Sequence, residues 1–240
     1  MTSATPSRRE RLRAETASEI KRVALRLLAG GGPDAVSLRA IAREMGMTAG
    51  AIYGYYPTRD DLITALINDV YTSLVDTMEA ARNAYPRSDA AGRLLAWGEA
   101  FRVWAIGNPA GFRLVYGDPV TGYRVPEGGA APEAAHRACI GLAELVSAAW
   151  PHVRAGQPSA GHRWSDFAPA LSDSIREAFP ELPAEAVALA LRLWGRMHGL
   201  VALEVYGHLR AQTTSPEKLY RAELLDLAAS LGLGDQAGTT

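Results

Sequence analysis

Between Ser37 and Arg59 the chain carries side chains suited to touching a nucleic acid. Thr48 and Ala49 offer methyl groups that fit a thymine methyl, and the Thr48 hydroxyl can also hydrogen-bond a base edge. Gly50 has no side chain, so the backbone there can approach base edges closely. Arg39 is the arginine best placed for a guanine or a phosphate, and Arg59 is a second guanidinium of the type that pairs with phosphate. Tyr53, Tyr55 and Tyr56 bring rings with hydroxyls that can donate to phosphate oxygen. Each has a plainer reading as core. Tyr53 stands evenly between core and contact, while of the adjacent Tyr55 and Tyr56 one is expected to pack and the other to offer its hydroxyl. Ser37 and Thr48 are cap residues, and a helix N-terminus presents N–H groups and partial positive charge where a phosphate would be stable. With so few long polar groups, phosphate positioning and DNA shape must carry much of any binding.

These residues need elements that hold them on one surface. Leu38, Ile41, Ala42 and Met45 recur at helical spacing, which predicts a helix from about Leu38 to Glu44 with Ser37 as its N-cap. Gly46 permits the positive φ of a sharp turn. Thr48 then caps a second helix of little more than two turns, ending near Tyr55. Two short helices across such a turn form a helix-turn-helix, whose second helix enters the major groove. Upstream, Ile20, Val23, Ala24, Leu27 and Leu28 make an amphipathic helix that stops at the breaker cluster Gly30-Gly31-Gly32-Pro33.

The order Ser37-x-x-x-Ile41-Ala42, Gly46-Met47-Thr48, Gly50-x-Ile52-Tyr53-x-Tyr55-Tyr56 and Pro57-Thr58-Arg59-Asp60-x-Leu62 resembles the DNA-binding domain of the TetR family of bacterial transcriptional regulators, over roughly residues 15 to 70. The chain departs from the family pattern at Gly54, where a larger side chain is usual, and at Arg59, where Lys is commoner. The resemblance implies a regulator, expected to be a repressor, whose partners are a palindromic double-stranded operator, a second copy of itself and a small-molecule effector.

Charge is distributed to match. Residues 1–59 hold ten basic and five acidic side chains, a net of +5, while the whole chain is −1, so the remainder carries −6. DNA affinity needs that asymmetry locally rather than overall. The segment from Arg8 to Arg13 is expected to be a flexible basic arm.

Other chemistries find little support. Cys139 is the only cysteine, so an internal disulfide and a multi-cysteine zinc site are excluded, and a cytoplasmic location is the natural reading. Five histidines show no metal-ligand spacing, and no nucleophile–base or carboxylate pair stands at useful spacing, so neither an enzyme nor a cofactor is expected. The first residues lack an apolar stretch, so no secretory signal is expected, and no apolar run approaches the ~20 residues that span a bilayer.

The fold class expected is all-α. The DNA-binding domain would cover 1–57, led by an arm over about 1–12. A helical effector-binding and dimerisation domain would cover 58–232, with a disordered tail over 233–240. Helices are expected over about Thr58–Tyr85, Asp89–Ile106, a short one through Tyr116, Pro132–Val153, Phe167–Ala178, Ala184–Arg210 and Pro216–Leu231. Trp97, Phe101 and Trp104 share one helical face, Phe112 and Tyr116 repeat the spacing, and Trp194 and His198 repeat it again. They are ordinary core or the lining of an apolar ligand pocket, with His198 as its polar group. The stretch Trp194–Leu209 resembles the Trp-His-Gly type of C-terminal domain in one branch of the family. Family dimers pair their last two helices, which implies either the stripe Gly195, Gly199, Ala202, Tyr206 or the face Leu219, Leu224, Leu227, Leu231 as the contact. A DNA-binding dimer without any effector is the competing reading.

Overall fold

A computed structural model describes residues 7–32, 35–118, 120–153 and 161–234. Every regular element among them is helical: α1 (Arg8–Gly31), α2 (Leu38–Glu44), α3 (Ala49–Tyr53), α4 (Arg59–Asn83), α5 (Ala90–Gly107), α6 (Pro109–Tyr116), α7 (Pro132–Ala149), α8 (Pro169–Ala178), α9 (Ala184–Val205) and α10 (Pro216–Ser230), with single 3-10 turns at Trp150–His152 and Trp164–Asp166. The chain divides into two compact units, one from Met1–Tyr71 with Ala110–Pro132, the other from Thr72–Pro109 with Glu133–Thr240. The boundary expected at 57/58 therefore moves into α4, and α6 with its following loop belongs to the first unit.

The first unit closes around Ile20, Val23 and Ala24 of α1, Val36, Leu38, Ile41 and Ala42 at α2, Ile52 of α3, and Leu62 and Leu66 of α4, with Leu114 of α6 packed on the same cluster. α1 begins at Arg8 because Ser7 and Glu10 form a capping box: the Glu10 amide donates to Ser7 Oγ (3.2 Å) and the Ser7 amide to Glu10 Oε2 (2.6 Å). The Ser7 amide, and after it the Ser7 hydroxyl, hold the Glu10 carboxyl below its ordinary range. Of the arm expected over 1–12, residues 8–12 are thus helix, and 1–6 lie outside the described residues. α1 ends as expected in the glycine cluster, at Gly32 with φ +70°.

The second unit is built on α5. Trp97, Phe101 and Trp104 are 2%, 4% and 7% exposed, and Leu145, Val146, Leu193, Met197, Val201 and Leu224 are buried in the same unit. Two glycines permit the closest approaches. A Cβ on Gly98 would lie 2.4 Å from Leu224 Cδ2, and one on Gly141 would lie 2.4 Å from the Trp97 ring. The Tyr220 hydroxyl donates to the Gly98 carbonyl (3.0 Å) at the same α5–α10 crossing, and its burial pushes its pKa far up. Arg102 of α5 grips Glu204 of α9 through two bonds of 2.8 and 2.6 Å. Arg82 and Arg93 both pair with Glu144, at 2.8 and 2.7 Å.

Helix ends differ from the expectation where local chemistry overrides periodicity. α9 stops at Val205 rather than Arg210, because Gly207 takes φ +80° and its amide turns back to Glu204 O (3.0 Å). α7 stops at Ala149, where Trp150-Pro151 tightens into a 3-10 turn. Of the tail expected over 233–240, Leu233 instead packs into the protein, 1% exposed with its amide donating to Ala228 O (2.9 Å), while 235–240 lie outside the described residues. By length and composition α9 could also cross a membrane, which the apolar-run reading did not anticipate. Here it packs one side into the core, and its Arg196 pairs with Glu223 and Asp226 of α10.

Candidate functional site

The helix-turn-helix is assembled by side-chain caps. Ser37 Oγ accepts from the Ala40 amide (3.1 Å) and starts α2; Thr48 Oγ1 accepts from the Ala51 amide (3.2 Å) and starts α3. Between them Gly46 adopts φ +65°, and the Met47 amide donates to Ala42 O (2.9 Å). α3 has five residues, shorter than expected, because the Tyr55 amide reaches back three residues to Ile52 O (2.9 Å) and tightens the chain out of helix. Only Ile52 of α3 is buried.

That leaves one exposed surface. Thr48, Ala49, Gly50, Ala51 and Tyr53 all face solvent, Tyr53 at 45% exposure, and Arg39 and Arg43 of α2 are exposed as well. Ser37 is half-buried. A Cβ on Gly50 would meet nothing within 4 Å, so the shallow surface there is not imposed by packing. Arg43 was not among the residues expected at DNA, and it is exposed on the same short helix as Arg39. The remaining tyrosines do not split as expected. Tyr55 and Tyr56 both pack partly against the first unit's core, since both sit in the turn after α3 rather than on successive helix positions. Burial raises the Tyr56 hydroxyl above its ordinary range.

Several basic groups that make up the head's positive charge are committed within the chain. Arg13 Nη2 donates to Gly54 O (2.7 Å), and its guanidinium lies 4.8 Å from the centre of the Tyr55 ring. Lys21 pairs with Asp69, Arg22 with Glu19, and Arg26 with Glu44. Arg59, expected at a phosphate, donates from Nε to Val36 O (2.9 Å) and from Nη1 to Thr121 O (3.1 Å).

The expected pocket residues fall into different surroundings. Phe112 and Tyr116 belong to the first unit, ring centres 5.2 Å apart, with Tyr71 edge-on to Tyr116 at 6.0 Å. In the second unit Trp97 lies beneath Arg82, 5.4 Å from guanidinium to ring, and Trp104 Nε1 donates to Ser73 Oγ (3.2 Å). His198 stands between Phe101 (6.1 Å) and Trp194 (5.6 Å), and burial pushes its pKa down, which favours the neutral ring. Trp194 itself is 41% exposed, at the edge of the α9 face that buries Leu193 and Met197. It lies on a helix that also exposes Leu191, Gly195, Gly199, Leu203 and Tyr206. The alternative α10 face does not exist as a surface: Leu224, Leu227 and Leu231 are each 0% exposed, and only Leu219 is outward. Among the described residues no group of His, Cys, Asp or Glu is placed to hold a metal.

A capped pair of short helices offering small residues, a tyrosine and two arginines on a basic head defines a helix-turn-helix protein that binds DNA. Comparison with known proteins agrees over nearly the whole chain. The model for bacterial regulatory proteins of the tetR family matches residues 20–66, and that for the tetracyclin repressor-like C-terminal domain matches 94–227. HTH-type transcriptional regulators of Mycobacterium tuberculosis and Mycobacterium bovis are 33% identical over 232 residues, covering 93% of this chain and 95% of theirs. The crystal structure of the regulatory protein SCO4313 superposes with a TM-score of 0.72 at 34% identity, covering 94% of this chain and all of that one. A tetR-family regulatory protein from Rhodococcus RHA1, 19% identical, shares the fold with a TM-score of 0.59 over 90% of this chain and 96% of its own. The chain belongs to the TetR family of helix-turn-helix transcriptional regulators.

Proposed function

We propose that this protein is a dimeric, cytoplasmic repressor that reads a palindromic operator and leaves it when a small apolar molecule binds the second unit. The observation that carries the DNA reading is the exposed surface of Thr48, Ala49, Gly50 and Tyr53 flanked by Arg39 and Arg43, in a head whose other basic groups are largely paired. Thr48 and Ala49 read thymine methyls and a base edge, Gly50 lets the backbone approach, and Arg39 and Arg43 bind phosphate or guanine. Tyr53, and the edges of Tyr55 and Tyr56, supply hydroxyls to the backbone of the duplex. Ser37 acts as the cap that orients α2. Selection of duplexes from a random pool, followed by fluorescence anisotropy, tests this. Enrichment of a two-fold symmetric sequence bound far more tightly than random duplex is expected; equal affinity for both overturns it.

Two copies meet through the outer face of α9, where Leu191, Trp194, Leu203 and Tyr206 are each about 40% exposed beside Gly195 and Gly199. The effector enters among Trp97, Phe101 and Trp104, with neutral His198 as hydrogen-bonding group and Phe112 and Tyr116 following the change in the first unit. A ligand shifts operator affinity only if it binds one state better than the other. The effector-free reading is favoured by one observation: Trp97, Phe101 and Trp104 are almost wholly covered by the protein's own side chains. Quenching of tryptophan emission by a ligand that also releases the operator decides for the first reading; a screen in which no quenching ligand changes operator affinity decides for the second.

A further inference from the structure

The residues after α6 make a set of bonds that a DNA-reading role does not account for. Arg59, first residue of α4, bridges two carbonyls with one guanidinium: Val36 O at 2.9 Å and Thr121 O at 3.1 Å. Val36 is 3% exposed and immediately precedes Ser37, the cap of α2. Thr121 lies in a turn closed by Gly122 at φ +74° and by the Tyr123 amide donating to Val120 O (3.0 Å). The same turn is fastened to α4 twice more. The Tyr123 hydroxyl bonds Thr64 Oγ1 (2.9 Å), and the Arg124 amide donates to Asp60 Oδ2 (3.2 Å). Val120 is 8% exposed.

We propose that Arg59 and the 120–124 turn form a strap that positions α2 and α3 for operator binding, so that Arg59 is a positioning residue and not a phosphate ligand. A guanidinium can do this because its planar fork holds two acceptors at fixed angles, whereas an ammonium is a point donor on a flexible stem. One arm of the fork fixes the backbone where the chain enters α2, and the other fixes the turn. The segment 110–132 that carries the turn continues at both ends into the second unit. Displacing that segment therefore pulls directly on the entry to α2. This inference rests on the operator-binding reading above.

The test compares Arg59→Lys, Arg59→Gln and Tyr123→Phe in the full-length protein, on the duplex enriched by the wild-type protein, across a salt series. Amide exchange of Leu38–Glu44 is measured on the same samples without DNA. A strap predicts that Arg59→Lys, which keeps the charge, loses roughly fivefold or more in affinity, much as Arg59→Gln does. It predicts that the neutral change Tyr123→Phe also weakens binding, that its effect is not additive with that of Arg59→Gln, and that all three speed exchange in α2. If Arg59→Lys binds like wild type, Arg59→Gln flattens the salt dependence by about 0.9 of a logarithmic unit slope, and Tyr123→Phe changes nothing, Arg59 is a phosphate ligand and the strap is wrong. Failure of the wild type to enrich any duplex would refute operator reading instead, while the exchange data would still decide for or against the strap.

Discussion

At the residue scale, two positions in the helix-turn-helix separate backbone geometry from recognition. Gly46 holds φ +65° between α2 and α3, with open space around a notional Cβ. Gly46→Ala should therefore cost about 1–2 kcal/mol through backbone strain alone, read as a lowered urea midpoint with an unchanged slope. Thr48 has two parts, an oxygen that caps the Ala51 amide and a methyl, on a residue exposed to solvent. Thr48→Ala should lose about 1 kcal/mol of stability with the cap, whereas Thr48→Ser should keep stability and weaken only operator binding. If Thr48→Ser binds the operator as tightly as wild type, the methyl reads no thymine. The caps Ser37 and Thr48 and the turn at Gly46 were legible at this scale, because capping and turn chemistry act within a few residues. The hydrogen bonds of Arg59 and Arg13 were not legible, because their acceptors, Val36, Thr121 and Gly54, are 23 to 62 positions away in sequence.

At the scale of elements, the second unit depends on helices that approach through missing side chains and are tied by paired charges. Gly141 sits against the Trp97 ring so closely that a methyl has no room. Gly141→Ala should destabilise by about 1–3 kcal/mol through overpacking, measured by thermal unfolding, with tryptophan emission changing in step. Arg102 and Glu204 join α5 to α9, each side chain only 14% exposed, and the Glu204 carboxylate raises the Arg102 pKa. Glu204→Gln should cost about 2 kcal/mol and leave operator contacts untouched. Unchanged stability would show that the two bonds merely offset the desolvation of the ions.

At the scale of the whole molecule, α9 exposes Leu191, Trp194 and Leu203 on the face proposed to join two copies. Gly199 is exposed and has no neighbour within 4 Å of a notional Cβ, so Gly199→Leu should fold normally. It should also split the dimer, visible as a halved mass in sedimentation, and weaken operator binding because each head then holds the duplex alone. A Gly199→Leu dimer of wild-type affinity would place the interface elsewhere. Apolar periodicity, caps and breakers determined from the sequence that the chain is all-α, where most helices lie, and that a basic helix-turn-helix leads an acidic body, since those signals are local. Only tertiary structure decided which arginines face solvent, that residues 110–132 fold with the head, that Trp194 is exposed, and that Leu224, Leu227 and Leu231 are core. Those outcomes turn on partners distant along the chain, and periodicity identifies an apolar face without saying what covers it.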